Sequence, residues 1–273
     1  MVVATSFGPG ALGRLDASAR RSGSVTRRNL AALRSAYWIV VISGFFEPLL
    51  YLFSIGIGVG RLVGTLPLPD GRLVPYAQFV APAMLASSAM TGALAESTFN
   101  FFGKMRYVRL YDGILATPVR PMEVAIGELL WAMARGALYS AAFLGVMVAM
   151  GLTKPLWALA AFPATLLVGF AFGGLGMALS TFMRSWQDFD VMGTIQFALF
   201  LFSGTFAPVG SYPAGLRALI EATPLYHGVE LIRGITTGSE QPAAPLVHAG
   251  YLLAMTALGL LVAGRRMGRL LLK

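Results

Sequence analysis

Few residues in this chain are of a type that does chemistry. It holds no cysteine and two histidines, His227 and His248. A thiolate nucleophile, a thiolate zinc site and a disulfide scaffold are therefore ruled out, and so is a histidine-rich metal centre. Its only Gly-Lys pair is Gly103-Lys104, and Thr98 stands where a phosphate-binding loop of the type G-x-x-x-x-G-K-[ST] needs its first glycine. Such a loop cradles nucleotide phosphates with its backbone N–H groups, so this chain has no loop of that kind. The H-E-x-x-H and G-x-S-x-G patterns are absent too. The carboxylates are scattered, and the chain is read as a protein that binds or moves something rather than an enzyme, with no cofactor or metal of its own.

The remaining polar groups stand out because they interrupt apolar runs. Glu47, followed by Pro48, falls near the middle of the first such run. A charge at that depth costs about 2.5–3.5 kcal/mol on insertion scales, so it must face protein or water. It either lines a translocation path or closes a polar contact between two helices. Gln196, Ser203 and Thr205 raise the same choice in a later run: path or internal hydrogen bond. Glu128 and Arg135 lie seven residues apart on one helical face, which suits anchoring at the headgroups.

One polar segment carries a pattern. In Phe101-Phe102-Gly103-Lys104-Met105-Arg106-Tyr107-Val108-Arg109 and on to Leu115, the positions Phe101, Met105, Val108 and Leu115 recur at near-helical spacing, with Lys104, Arg106 and Arg109 beside them. This predicts a stiff amphipathic helix that ends before Pro118. It could dock in a groove of a soluble partner or rest on lipid headgroups.

The elements that must position these residues follow from composition. Of 273 residues, 56% are hydrophobic and 12% charged, against about 25% charged in soluble domains. That surface could not be wetted, and the chain reads as an all-α integral membrane protein. Apolar runs predict six spans, about 37–60, 76–95, 125–152, 157–183, 191–206 and 246–264. Residues 1–36 form a basic leading segment, disordered up to about residue 24, with an interfacial helix marked by Leu30, Leu33 and Tyr37. Residues 61–74 read as a loop. Residues 265–273 form a basic tail. Of the 21 basic residues, fifteen fall at the ends of the spans that share a side with both termini. Five fall on the opposite side: Arg61, Arg72, Lys154, Arg217 and Arg233. Positive-inside then puts both termini in the cytoplasm. The net charge of +9 is accounted for by this clustering, and nucleic acid is not an expected partner. Segment 207–245 is long, rich in Pro and Gly, and partly apolar. It predicts short helices that turn back into the outer leaflet.

Several segments together resemble the permeases of the ABC type-2 transporters, nearest the nodulation-factor (lipo-oligosaccharide) and daunorubicin-type drug exporters. They are Glu47-Pro48-Leu49-Leu50-Tyr51-Leu52, Tyr76 through Glu96 into Phe101, Gly127-Glu128-Leu129-Leu130-Trp131, Phe202-Ser203-Gly204-Thr205-Phe206-Ala207-Pro208, and Pro224-Leu225-Tyr226-His227-Gly228-Val229-Glu230-Leu231-Ile232-Arg233. The resemblance implies two six-span units in the inner membrane, identical or siblings, with ABC ATPase subunits docked below that carry the ATP-Mg. It assigns coupling to Phe101, Met105, Arg106, Val108, Arg109 and Leu115. It assigns an outer gate to the region of Phe206, Pro208, Tyr226 and Glu230, and it implies an amphipathic substrate. Two other classes compete: a membrane-embedded lipid-modifying enzyme, which would need clustered polar groups at one membrane face, and a nucleotide-independent channel.

Overall fold

A computed structural model describes residues 18–26, 50, 52–68, 70–239 and 244–271. Most of the first predicted span, Glu47 included, and the interfacial helix near Leu30–Tyr37 lie outside the described residues.

Residues 18–26 are helical (α1), where the sequence suggests a tail as far as residue 24. Tertiary contact is the reason. The Arg21 Nε–H donates to Glu123 at 2.8 Å, and the Thr26 hydroxyl donates to the Gly127 carbonyl at 3.0 Å. A Cβ on Gly127 would meet Val25 Cβ and the Ser22 carbonyl oxygen at 2.7 Å, so only glycine lets α1 this close.

The end of the first run is a π-helical turn, Ser54–Val59, followed by α2, Gly60–Val63. The predicted loop after it is a small antiparallel hairpin, so the molecule is not wholly α. Strand β1 (Thr65–Pro67) pairs with β2 (Leu73–Pro75) in the register Leu66↔Val74. Helix α3, Tyr76–Ala95, coincides with the second predicted span. It does not stop there. A π-helical stretch, Glu96–Asn100, carries the same right-handed backbone into α4, Phe101–Arg106. The break comes at Arg109, whose φ of 50° is left-handed, and α5, Leu110–Leu115, then sets off separately. The single stiff helix expected over 101–115 is thus two short ones. Gly103 accepts from both Tyr107 and Val108 N–H groups at 3.0 Å, which closes the first helix before the period can continue.

Helix α6, Pro121–Ala149, starts with proline at its first position and with Glu123 accepting from the Arg120 N–H at 2.9 Å. Both features meet the unpaired donors of a first turn. Helix α7, Pro155–Ser180, also starts with proline at its first position, after Lys154. Helix α8, Asp188–Leu201, is short, and Ser203, Thr205 and Phe206 lie beyond it instead of inside a span. A 3₁₀ turn, Val209–Ser211, leads to α9, Ala214–Glu221, and α10, Pro224–Thr237. Helix α11, Ala244–Leu271, closes the chain.

Three helices among the described residues are long and apolar enough to cross a membrane: Pro121–Ala149, Pro155–Ser180 and Pro245–Leu271. Helix α7 is central and packs on α11, α6, α3 and α10. Its glycines permit this. A Cβ on Gly259 of α11 would lie 2.4 Å from the Gly174 carbonyl carbon, and one on Gly173 would lie 2.4 Å from Leu129 Cδ1 of α6. The small residues of the fourth predicted span therefore serve packing within the chain. The outward side chains of α8 and α11 include Val191, Ile195, Phe197, Leu246, Val247, Leu253 and Leu258, all exposed. A water-facing surface of that kind would be unstable, and hydrocarbon is its proper solvent. The chain is a multi-pass membrane protein.

Candidate functional site

The bundle has two polar ends. One, here the basic end, holds α4, α5, the loop between α7 and α8, and the last turns of α11. The Lys104 ammonium donates to Glu128 at 2.5 Å, and Arg135 pairs with Glu96. Glu128 and Arg135 thus each pair with a group on the neighbouring stretch 96–106. Arg266 lies over the Phe182 ring at 3.7 Å, and its Nε–H donates to the Thr181 hydroxyl at 3.1 Å. Five rings gather beside these pairs. Phe189 stacks on Phe99 at 4.4 Å and meets Phe102 edge-on at 5.2 Å. Trp186 stacks on Tyr107 at 5.4 Å and meets Phe102 edge-on at 5.3 Å. Edge-on and offset geometries suit ring quadrupoles and contribute about 0.5–1.5 kcal/mol per pair.

The opposite, hairpin end is organised by Arg233. This guanidinium is 2% exposed. Its Nε–H donates to the Phe79 carbonyl at 3.2 Å, one terminal nitrogen donates to Gly204 at 2.7 Å, and the other pairs with Glu230 at 2.5 Å. It also sits over the Phe79 ring at 3.9 Å. Burial of such a cation is tolerable only with its donors satisfied, and a planar fork is suited to three acceptors at once. Gly204 has a φ of 71°, and a Cβ there would lie 2.8 Å from Val209 Cγ2. The flanking Ser203 and Thr205 are buried and share a 3.0 Å hydrogen bond. The hairpin joins the same end. Asp70 accepts from the Arg72 N–H at 3.0 Å and Nε–H at 2.7 Å, and Arg72 also donates to the Gly238 carbonyl at 2.9 Å. The backbone N–H of Arg72 foremost holds the Asp70 carboxyl below the usual aspartate range. His227 and His248 face each other with Nδ1 atoms 2.7 Å apart, so one ring donates and the other accepts. That bond ties α10 to α11.

The sequence-predicted residues are distributed as follows. Phe101 and Met105 are buried, Leu115 is half-buried against the core, and Arg106, Val108 and Arg109 are exposed in and around the turn. Val108 in particular does not share the buried face of Phe101 and Met105; it is 68% exposed. Gln196 donates to the Thr91 hydroxyl of α3 at 3.0 Å, away from Ser203 and Thr205. Ser203, Thr205 and Glu230 are brought together through Gly204 and Arg233. Phe206 is half-buried with its ring edge-on to Phe200, and Pro208 accepts from Ser211. Tyr226 is half-buried beside His227 and His248. A small, partly open pocket of about 30 Å³ lies among α3, α6 and α7, lined by Ser88, Gly92, Gly136, Tyr139, Ser140 and Thr165 among others, and none of Gln196, Ser203 or Thr205 lines it. Sequence reasoning missed Arg233 as an organiser, although its i, i+3 spacing from Glu230 was a usable signal. It also missed Trp186 and Phe189, for which no periodicity gives a sign.

Known proteins bear on this arrangement. The family model described as ABC-2 type transporter matches residues 22–236. Nodulation protein J of Rhizobium meliloti (strain 1021) is 33% identical over 228 residues, 83% of each chain. Nodulation protein J of Rhizobium leguminosarum bv. trifolii is 36% identical over 216 residues, covering 79% of this chain and 80% of its own. That of Rhizobium leguminosarum bv. viciae is 32% identical over 253 residues, 92% of this chain and 95% of its own. The matched stretch takes in α3 through most of α10, and with them most of both polar ends, so the chain belongs to the ABC-2 type transporter family.

Proposed function

We propose that this chain is the transmembrane subunit of an ATP-driven exporter whose energy comes from a separate ABC ATPase. Two such units, identical or siblings, form the path. The layout is a leading segment, 1–36, a six-span transmembrane domain, 37–264, and a basic tail, 265–273, with both termini in the cytoplasm. The cargo class is amphipathic: a lipo-oligosaccharide, a glycolipid or a hydrophobic drug. The observation that carries the reading is the segment 101–115. Phe101, Phe102 and Met105 are buried on the rod that continues α3, while Arg106, Tyr107, Val108 and Arg109 stand exposed at its turn. That combination suits a contact that receives force from outside and passes it to a membrane helix. The family membership and the absence of a phosphate-binding loop in the sequence support it. So do the hydrogen-bonded residues around Arg233, which suit a closure at the far end.

Co-purification from native membranes tests this. An ABC ATPase is expected with the chain, and the purified chain alone is expected to leave ATP unhydrolysed. Turnover of ATP by the isolated chain, or transport sustained without any ATPase bound, would refute the division of labour.

A further inference from the structure

Among the described residues, helix α8 is held mainly at its ends. Of its 14 residues only Phe189 is fully buried, Met192, Leu199 and Phe200 pack partly buried on the core, and Val191, Ile195 and Phe197 are exposed. Along its length the polar tie to the described bundle is the Gln196–Thr91 hydrogen bond. At the basic end, Phe189 and the preceding Trp186 are set among Phe99, Phe102 and Tyr107, which belong to the continuous 96–107 rod. The turn that presents Trp186 is fixed by Asp188, which accepts from the Arg184 and Ser185 N–H groups at 2.7 and 3.3 Å. At the other end, the Gly204 carbonyl just past α8 accepts from buried Arg233.

From this geometry we infer that α8 is a transmission rod. Trp186 and Phe189 form the joint that links it to the coupling segment, and the Gly204–Arg233 bond links it to the closure about 20 Å away, at 1.5 Å rise per residue. A helix with few lateral contacts translates or tilts as one body, because its own hydrogen bonds are stiffer than its packing. A shift of Tyr107 and Phe102 therefore moves Trp186, and α8 carries the shift to the carbonyl that Arg233 grips. Trp186 acts as a positioning residue. Its use in transport rests on the reading above, whereas the linkage itself does not need an ATPase to be seen.

The chain has no cysteine, so single introduced cysteines report without background. Ser203→Cys would report on the closure, and Ala161→Cys on a part of α7 off the rod; both sites are 0% exposed. The purified full chain is treated with a water-soluble maleimide, without ATPase or cargo. W186A is expected to raise the labelling rate at position 203 roughly fivefold by local opening, with position 161 unchanged. W186F keeps a ring in the cluster and should leave both rates at the native level. W186L keeps apolar bulk without stacking, guards against loss of the alanine variant, and should behave like it. An unchanged rate at 203 in W186A and W186L, or a parallel rise at 203 and 161, overturns the inference. Because neither partner is present, that result would leave the exporter reading intact, and loss of ATPase co-purification would leave the linkage intact.

Discussion

Arg233 is where single-residue energetics matter most. Its guanidinium meets Phe79, Gly204 and Glu230 in a site closed to water. R233A takes away the short ion-pair partner of a buried carboxylate, a loss that usually costs about 3–5 kcal/mol. R233K keeps the charge, but an ammonium lacks the fork needed to serve three separated acceptors. We expect R233K to fall between R233A and the native chain in denaturant unfolding in detergent; native stability in R233K would show that the fork is dispensable. Asp70 gives a milder, titratable case. Its folded pKa is lowered, so its contribution is intact above the unfolded value of about 3.9. It is lost progressively as pH falls from there through the depressed folded value. Hydrogen exchange across 65–75, corrected for intrinsic rates, should therefore begin to rise as pH drops below about 3.9 and level off below the depressed folded value. In D70N that acid step should vanish. At the sequence level Glu230 entered only through the resemblance, as part of an outer gate, and Arg233 as one of five basic residues on the outer side. The role of Arg233 stayed hidden because its carbonyl partners lie 29 and 154 residues away along the chain.

Helix packing shows the same division between local and distant information. The period and length of apolar runs located α3, α6 and α7 to within four residues and the start of α11 to within two, though α11 runs seven residues past the predicted span, since a helix that must bury its backbone in hydrocarbon announces itself by composition. Which glycine meets which helix is not a periodic property. Gly259→Ala would put a methyl 2.4 Å from the Gly174 backbone, while around Gly250, also in α11, a Cβ finds nothing within 4 Å. G259A should lower stability by about 1–3 kcal/mol through forced separation of α7 and α11. G250A should be neutral or slightly stabilising. Equal melting of the two variants would contradict the crossing described here. The segment 101–115 is the converse lesson. Its apolar residues kept helical spacing across Val108, but two N–H groups closing on Gly103 ended the helix, and Arg109 took a left-handed conformation that no spacing rule anticipates.

At the scale of the whole molecule, the exporter proposed here would take in force at one end and act at the other. Val108 is exposed at the turn, and Leu115 packs against the core. V108D should therefore leave folding intact while breaking the link between ATP hydrolysis and export in the assembled transporter, measured as cargo moved per ATP. L115D should cost stability as well. Export and hydrolysis that stay coupled in V108D would remove the turn from the contact. Composition and the ordering of charge along the chain were enough to mark a membrane protein, and the segments quoted above were enough to suggest its family. These are properties of one residue's solvent preference or of neighbours in sequence. The tertiary structure alone settled how Glu96 finds Arg135, how Trp186 joins the 96–107 rod and how Arg233 holds Gly204. Each is a meeting of groups far apart in the chain, and no local preference of either partner specifies it.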